Sequence, residues 1–182
     1  ENWEIEDYLK LPLIAGLATI RGLGGIENLE YKFKWTNDVY LENKKLCGIL
    51  MEKTDNVYIV GIGINVNNIL PEKLKNKAIS LTQATNKKYK IDEIVKNIVS
   101  EFQILCENLG NGSWEEILKE INEINYLKNK KIELKFGNEK VLGIAQDINE
   151  NGEIEVLVKK DEAGKDEIKS FSIGEVFEKI IF

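Results

Sequence analysis

Histidine is absent from the 182 residues, and arginine occurs once, at Arg21. Without histidine the chain holds no Ser-His-Asp triad, no Cys-His dyad and no His-ligated zinc. Catalysis must then fall to Lys, Asp, Glu, Asn, backbone amides or a hard cation such as Mg²⁺. Cysteine is scarce: Cys47 and Cys106 stand far apart, with no CxxC. That excludes a redox or metal motif, and a secreted disulfide scaffold would be denser in cysteine. Both cysteines lie in apolar runs and read as small buried hydrophobes. A reducing cytoplasm is the expected compartment. Long apolar runs are lacking too: the longest weakly polar stretch, 11–23, contains Arg21 and is too short to span a bilayer. No signal peptide is visible, so no membrane partner is expected. Charge of one sign is in deficit, with 25 Lys+Arg against 31 Asp+Glu and a net charge of −6. This balance argues against coating nucleic acid, and Glu30 and Glu42 dilute the lysines at 32, 34, 44 and 45.

What remains is an ordinary globular composition, 43% hydrophobic, and a length suited to one domain or two small ones. Pro12 opens an apolar segment with helical spacing, and Gly22, Gly24 and Gly25 close it, which predicts a helix over 11–23. The period then changes. In Glu30-Tyr31-Lys32-Phe33-Lys34-Trp35 aromatics alternate with charges, as in a strand with one buried face. Thr36-Asn37-Asp38 reads as a turn, 39–41 as a strand, 42–45 as a turn, 46–52 as a strand, Asp55-Asn56 as a turn and 57–66 as a long buried strand. The pattern predicts a four-stranded antiparallel meander. A polar stretch follows to about residue 90, and then a helix carries Ile91, Ile94, Val95, Ile98, Val99, Phe102 and Leu105 on one face. Ser113-Trp114-Glu115-Glu116 predicts a capping box at the head of a further helix.

From about Leu127 the pattern is all-β. Turns are expected at Gly137-Asn138 and Asn151-Gly152, a charged loop over 161–167, and two short strands after it. Five strands in about fifty residues predict a small SH3-like barrel. The expected class is α+β: an antiparallel sheet with packed helices over 1–126, then the barrel over 127–182.

The densest polar cluster lies in the meander: Lys34-Trp35-Thr36-Asn37-Asp38, Lys44-Lys45-Leu46-Cys47-Gly48 and Gly61-Ile62-Gly63-Ile64-Asn65. Taken singly these are a turn, a hairpin tip and a tightly packed strand. Strand register can bring Asn37-Asp38, Lys45 and Asn65 to one face, lined by glycines that let a ligand approach the backbone. Lys45 would neutralise carboxylate or phosphate charge, Asp38 would hold Mg²⁺ or accept a proton, and Asn65 can donate and accept as an adenine edge requires. The residues alone point to an anion or nucleotide site on an antiparallel sheet.

In order and spacing, the three segments resemble the catalytic signature of the biotin–protein ligases. The likeness continues through Ala78-Ile79-Ser80-Leu81 to Ser172-Ile173-Gly174-Glu175-Val176, similar to the family's closing Ser-Gly-Glu-Val. It implies a partial class II synthetase-like ligase domain and the SH3-like barrel. It implies ATP and biotin as substrates with Mg²⁺, biotinyl-5′-adenylate as intermediate, and a biotin carboxyl carrier protein domain as acceptor. The resemblance implies Lys45 and Asp38 as catalytic, with Asn37, Lys45, Gly48, Gly61, Gly63 and Asn65 binding biotin and adenylate; Lys34 and Trp35 are expected to be structural. A homodimer through the sheet is a further expectation. Thr36 stands where many relatives have Pro. The Gly-Arg-rich adenylate loop of the family has no counterpart in this sequence. The chain, beginning at Glu1, is therefore expected to be part of a longer or split enzyme, inactive by itself. The alternatives are a binding or dimerisation module derived from the ligase, and a lipoate–protein ligase of the same superfamily.

Overall fold

The computed structural model describes residues 9–27, 29–55, 57–159 and 166–178. A central helix, α1 (Lys10–Leu23), is buried over most of its surface. Leu13, Ile14, Leu17 and Ala18 join one apolar cluster, whereas Ala15 and Leu23 join a second. A helix apolar on every side belongs between two layers. Glycine lets its neighbours come close. A Cβ on Gly16 would lie 2.3 Å from Phe33 Cε2, and one on Gly22 would lie 2.8 Å from the backbone nitrogen of Ile98.

The predicted meander is present. Strands β1 (Tyr31–Lys34), β2 (Asp38–Leu41), β3 (Lys44–Thr54) and β4 (Val57–Ile64) form one antiparallel sheet in that order. Residues 42–45 do not all form the turn that the charge run suggested. Glu42 and Asn43 both take left-handed φ, 51° and 60°, and close a two-residue hairpin, so Lys44 and Lys45 start β3. Between β2 and β3 the register shifts: Val39 faces Cys47 and Tyr40 faces Lys45, with Leu46 as the extra residue. Leu46 and Cys47 are consequently both buried. Burial pushes the Cys47 thiol up to about 12. On the far side of β1, Phe33 N donates to Ile124 O and Tyr126 N donates to Phe33 O.

A short helix, α2 (Leu81–Thr85), lies in the stretch that reads as polar and irregular. Ser80 caps it by accepting from Gln83 N. Helices α3 (Ile91–Gly110) and α4 (Trp114–Glu123) match the periodic segments. On α3, Ile94, Ile98 and Leu105 are buried, but Ile91, Val95 and Val99 are about half exposed, so the apolar face is narrower than its sequence suggests. The capping box at 113–116 is not formed. Ser113 has φ −85°, ψ 31° and no side-chain cap bond. The Trp114 indole instead donates to Glu150 O at 2.7 Å.

Strands β5 (Lys131–Phe136), β6 (Glu139–Ile148), β7 (Ile154–Val158), β8 (Glu167–Phe171) and β9 (Glu175–Glu178) form the C-terminal antiparallel sheet, ordered β8-β7-β6-β5-β9. Among the described residues β8 and β9 do not pair, so the expected barrel is open. Most of the charged loop expected over 161–167 lies outside the described residues. One apolar cluster crosses residue 126: Leu13, Phe33 and Trp35 share it with Ile132, Leu134, Ile148 and Val156. Among the described residues no helix is long and apolar enough to cross a membrane.

Candidate active site

Directly opposed residues of a sheet share a face. Lys34 faces Asp38, Asp38 faces Gly48, and Gly48 faces Gly63, a row across all four strands. The neighbouring row is Lys32, Tyr40 and Lys45. On the other side Leu50 faces Gly61. The alternate residues Phe33, Val39, Cys47 and Ile49 are buried on the opposite face. Gly48, Gly61 and Gly63 thus leave a stretch of the outward face bare of side chains. Apolar Leu50, 62% exposed, marks one end of this trough, and Lys45 marks the other. At about 3.3 Å per residue the trough runs about 15 Å along β3.

Lys45 Nζ lies 2.6 Å from Asp38 Oδ1. That carboxylate oxygen is buried and has no well-aligned hydrogen bond, so the ion pair is its compensation. With Lys45 nearly half exposed, such a pair adds about 0–1 kcal/mol to stability, and its consequence is placement. Gly48 makes room for it: a Cβ there would stand 3.0 Å from Lys45 Cε and 3.1 Å from Nζ. Gly61 and Gly63 differ. An added Cβ on Gly63 would meet only Gly48 O at 3.7 Å, and one on Gly61 would meet Leu50 O at 3.7 Å and Leu50 Cβ at 4.0 Å, ordinary contacts, so the fold does not demand glycine at either position.

The backbone of Lys45 is clamped as well. Its N donates to Lys77 O and its O accepts from Ile79 N, while Asn65 O accepts from Leu81 N. One segment therefore holds both Lys45 and Asn65. The Asn65 side-chain oxygen accepts from Asn68 Nδ2 at 3.0 Å. Asn37 Nδ2 donates to Ile49 O at 2.6 Å, Ile49 N donates to Asn37 O at 2.8 Å, and Asn37 Oδ1 accepts from Thr36 Oγ1. These bonds register the turn against β3 and set Asp38 opposite Gly48.

The structure thus brings Lys45, Asp38, Gly48, Gly61 and Gly63 onto one face. Asn65 follows two residues after Gly63, and the amide of Asn37 is engaged beneath the turn. Two neighbours escaped the sequence reading. Tyr40 stands beside Lys45, accepts from Lys34 Nζ at 3.2 Å and stacks on Tyr126 with centroids 4.6 Å apart. Leu50 shows itself only through register. A cavity of about 470 Å³, lined among others by Lys32, Tyr40, Asn43, Tyr126 and Lys130, lies beside the trough and not over it. Its lysines are already paired: Lys32 with Glu30 at 2.7 Å, Lys130 with Glu178 at 3.2 Å.

Arg21 is engaged by helices and not by this face. Its guanidinium bonds Glu120 and pairs with Glu101, tying α1 to α4 and α3. Among the described residues no three Cys, Asp or Glu side chains cluster as metal ligands.

The Biotin/lipoate A/B protein ligase family matches residues 8–67, the span of α1 and the meander. The bifunctional ligase/repressor BirA of Bacillus subtilis is 36% identical over 102 residues, covering 52% of this chain and 31% of that protein. The chain thus spans about a third of that relative's length. The biotin protein ligase of Aquifex aeolicus superposes with a TM-score of 0.84 at 30% identity, over 96% of this chain and 76% of that one. The same enzyme in complex with biotin and ATP gives 0.82, over 94% and 71%. On this likeness over nearly its whole length, the chain belongs to the biotin–protein ligase family.

Proposed function

We propose that this chain takes part in joining biotin to ATP and in passing the biotinyl group to a lysine of a biotin carboxyl carrier protein. The observation that carries the reading is the Lys45–Asp38 pair at the polar end of a side-chain-free trough with an apolar far end. Biotin's ring and alkyl chain fit the Leu50–Gly61 end, the acyl phosphate lies at Lys45, and adenine lies toward Asn65. In the first step a biotin carboxylate oxygen attacks the α-phosphorus and pyrophosphate leaves. Lys45 offsets the charge of two anions brought together. In the second step the acceptor amine attacks the acyl carbon, the bond to phosphate breaks and AMP leaves with the electron pair. Asp38 orients the amine and takes its proton. Asn37 acts by holding the turn that carries Asp38. Any Mg²⁺ would arrive with the nucleotide: among the described residues the donors do not form a cage, and Asp38 is the carboxylate placed to meet the ion.

Residues 1–126 are assigned to the ligase domain and 127–182 to the SH3-like domain. With its one arginine held by Glu120 and Glu101, the phosphate charge falls to lysine alone, and the chain by itself should form adenylate slowly. The test is calorimetric binding of biotinyl-5′-adenylate to the chain and to Lys45→Ala, with lipoyl-adenylate as competitor. Binding that weakens at least tenfold in the variant supports the reading. Equal binding by both proteins, or preference for the lipoyl compound, overturns it.

A further inference from the structure

Both tryptophans among the described residues donate into one turn of the C-terminal sheet. Trp35 Nε1, on a buried ring, donates to Gly152 O at 3.1 Å, and Trp114 Nε1 donates to Glu150 O at 2.7 Å. The acceptor turn is braced by its own hydrogen bonds. Gly152 N donates to Asn149 O, and Asn149 Oδ1 accepts from the backbone N of Asn151 and Glu153. Gly152 has φ +80°, and its α-carbon is seated against the head of α1: a Cβ there would lie 3.2 Å from Leu13 Cδ1 and 3.3 Å from Leu9 O. The Gly152 carbonyl is thus a fixed point.

What hangs from it differs between the two rings. Trp114 lies on α4. Trp35 enters the Thr36-Asn37 turn, whose two hydrogen bonds with Ile49 place Asp38 opposite Gly48, within 2.6 Å of Lys45. The same turn is bordered from another side by Ser172, Ile173 and Gly174, across a cavity of about 210 Å³. The C-terminal sheet therefore holds Trp35 at the entry to the turn, and its β8–β9 connection lines a cavity shared with the turn. We infer that Trp35 is a positioning residue: its indole N–H, held by the Gly152 carbonyl, carries the placement of the C-terminal sheet to the Asp38–Lys45 pair. This deepens the proposed function and rests on it for its chemical meaning. A hydrogen-bonded chain of packed elements is the physical route by which such coupling travels.

Trp35→Phe keeps an aromatic ring and removes the donor; Trp114→Phe does the same to the neighbouring bond and serves as control. The ligand-free readout is the backbone amide shifts of Asn37, Asp38 and Gly48. They should move in Trp35→Phe and stay in place in Trp114→Phe. The second readout is affinity for biotinyl-5′-adenylate, which should fall roughly threefold to thirtyfold in the first variant only. Unmoved amides in Trp35→Phe, or equal weakening by both variants, overturns the inference. If the parent chain fails to bind the adenylate, the amide shifts still decide the positioning role, and only the functional reading falls. If Trp35→Phe does not fold, Asp38→Asn supplies the reverse experiment, because coupling is reciprocal. Its Trp35 indole resonance should shift while that of Trp114 does not; a stationary Trp35 resonance overturns the inference.

Discussion

Adding one methyl group at Gly63 should separate the needs of the fold from those of the ligand. The new Cβ would stand 3.7 Å from Gly48 O, an ordinary contact, with no other heavy atom within 4 Å beyond the chain neighbours. Glycine inside a strand costs about 0.5–1 kcal/mol relative to alanine through the entropy of the unfolded chain. Gly63→Ala should therefore hold or raise the melting temperature, by about 1–4 °C for a chain of this size. The same methyl projects into the trough between Leu50 and Lys45. Overpacking of a close contact costs about 1–3 kcal/mol, which is roughly fivefold to a hundredfold in affinity. Scanning fluorimetry and calorimetry with biotinyl-5′-adenylate on one preparation measure both quantities. Wild-type affinity in a stable Gly63→Ala would refute the placement of the ligand. A loss of several degrees would refute the claim that glycine there serves the ligand and not the fold.

Gly48→Ala should fold but displace the Lys45 ammonium, since its Cβ would come within 3.1 Å of Nζ; adenylate affinity should fall with little change in melting temperature. Gly16→Ala should lose about 1–3 kcal/mol by chemical denaturation, because its methyl would overlap the Phe33 ring. Arg21→Ala should cost about 1 kcal/mol and leave adenylate affinity unchanged, since the guanidinium ties helices and not phosphates. The Cys47 thiol should resist alkylation at pH 8 in the folded chain. Its native pKa is raised, so the native state holds the proton longer than the unfolded chain does. The stability that Cys47 contributes is full below about pH 9 and is lost as pH rises to about 12; Cys47→Ala should flatten that slope in a denaturation series.

Much of this was legible in the sequence, because its signals are local. Alternating burial marks β1, and apolar spacing with Pro12 marks α1 within a residue. What failed was whatever depends on partners distant in sequence. Ser113 and Glu116 have capping-box spacing, but the Trp114 indole reaches Glu150 and Ser113 makes no cap bond. Ser80 and Gln83 have the same spacing inside a Lys- and Asn-rich stretch, and there the cap is real. Barrel closure depends on β8 meeting β9, which no local pattern encodes. In the candidate site, the order of motifs singled out Lys45, Asp38 and the glycines, which the sheet register brings onto one face. Register was needed to show that Leu50 ends the trough, that Tyr40 flanks Lys45 and that the amide of Asn37 belongs to the turn.

On the proposed reading, the bare face between Leu50 and Lys45 receives the adenylate. Titrating the isotope-labelled chain with biotinyl-5′-adenylate and following its backbone amides tests this most directly. Lys45, Gly48, Gly61, Gly63 and Asn65 should move together, and Lys45→Ala should suppress the response. Shifts confined to Tyr40, Asn43, Tyr126 and Lys130, around the larger neighbouring cavity, would contradict it.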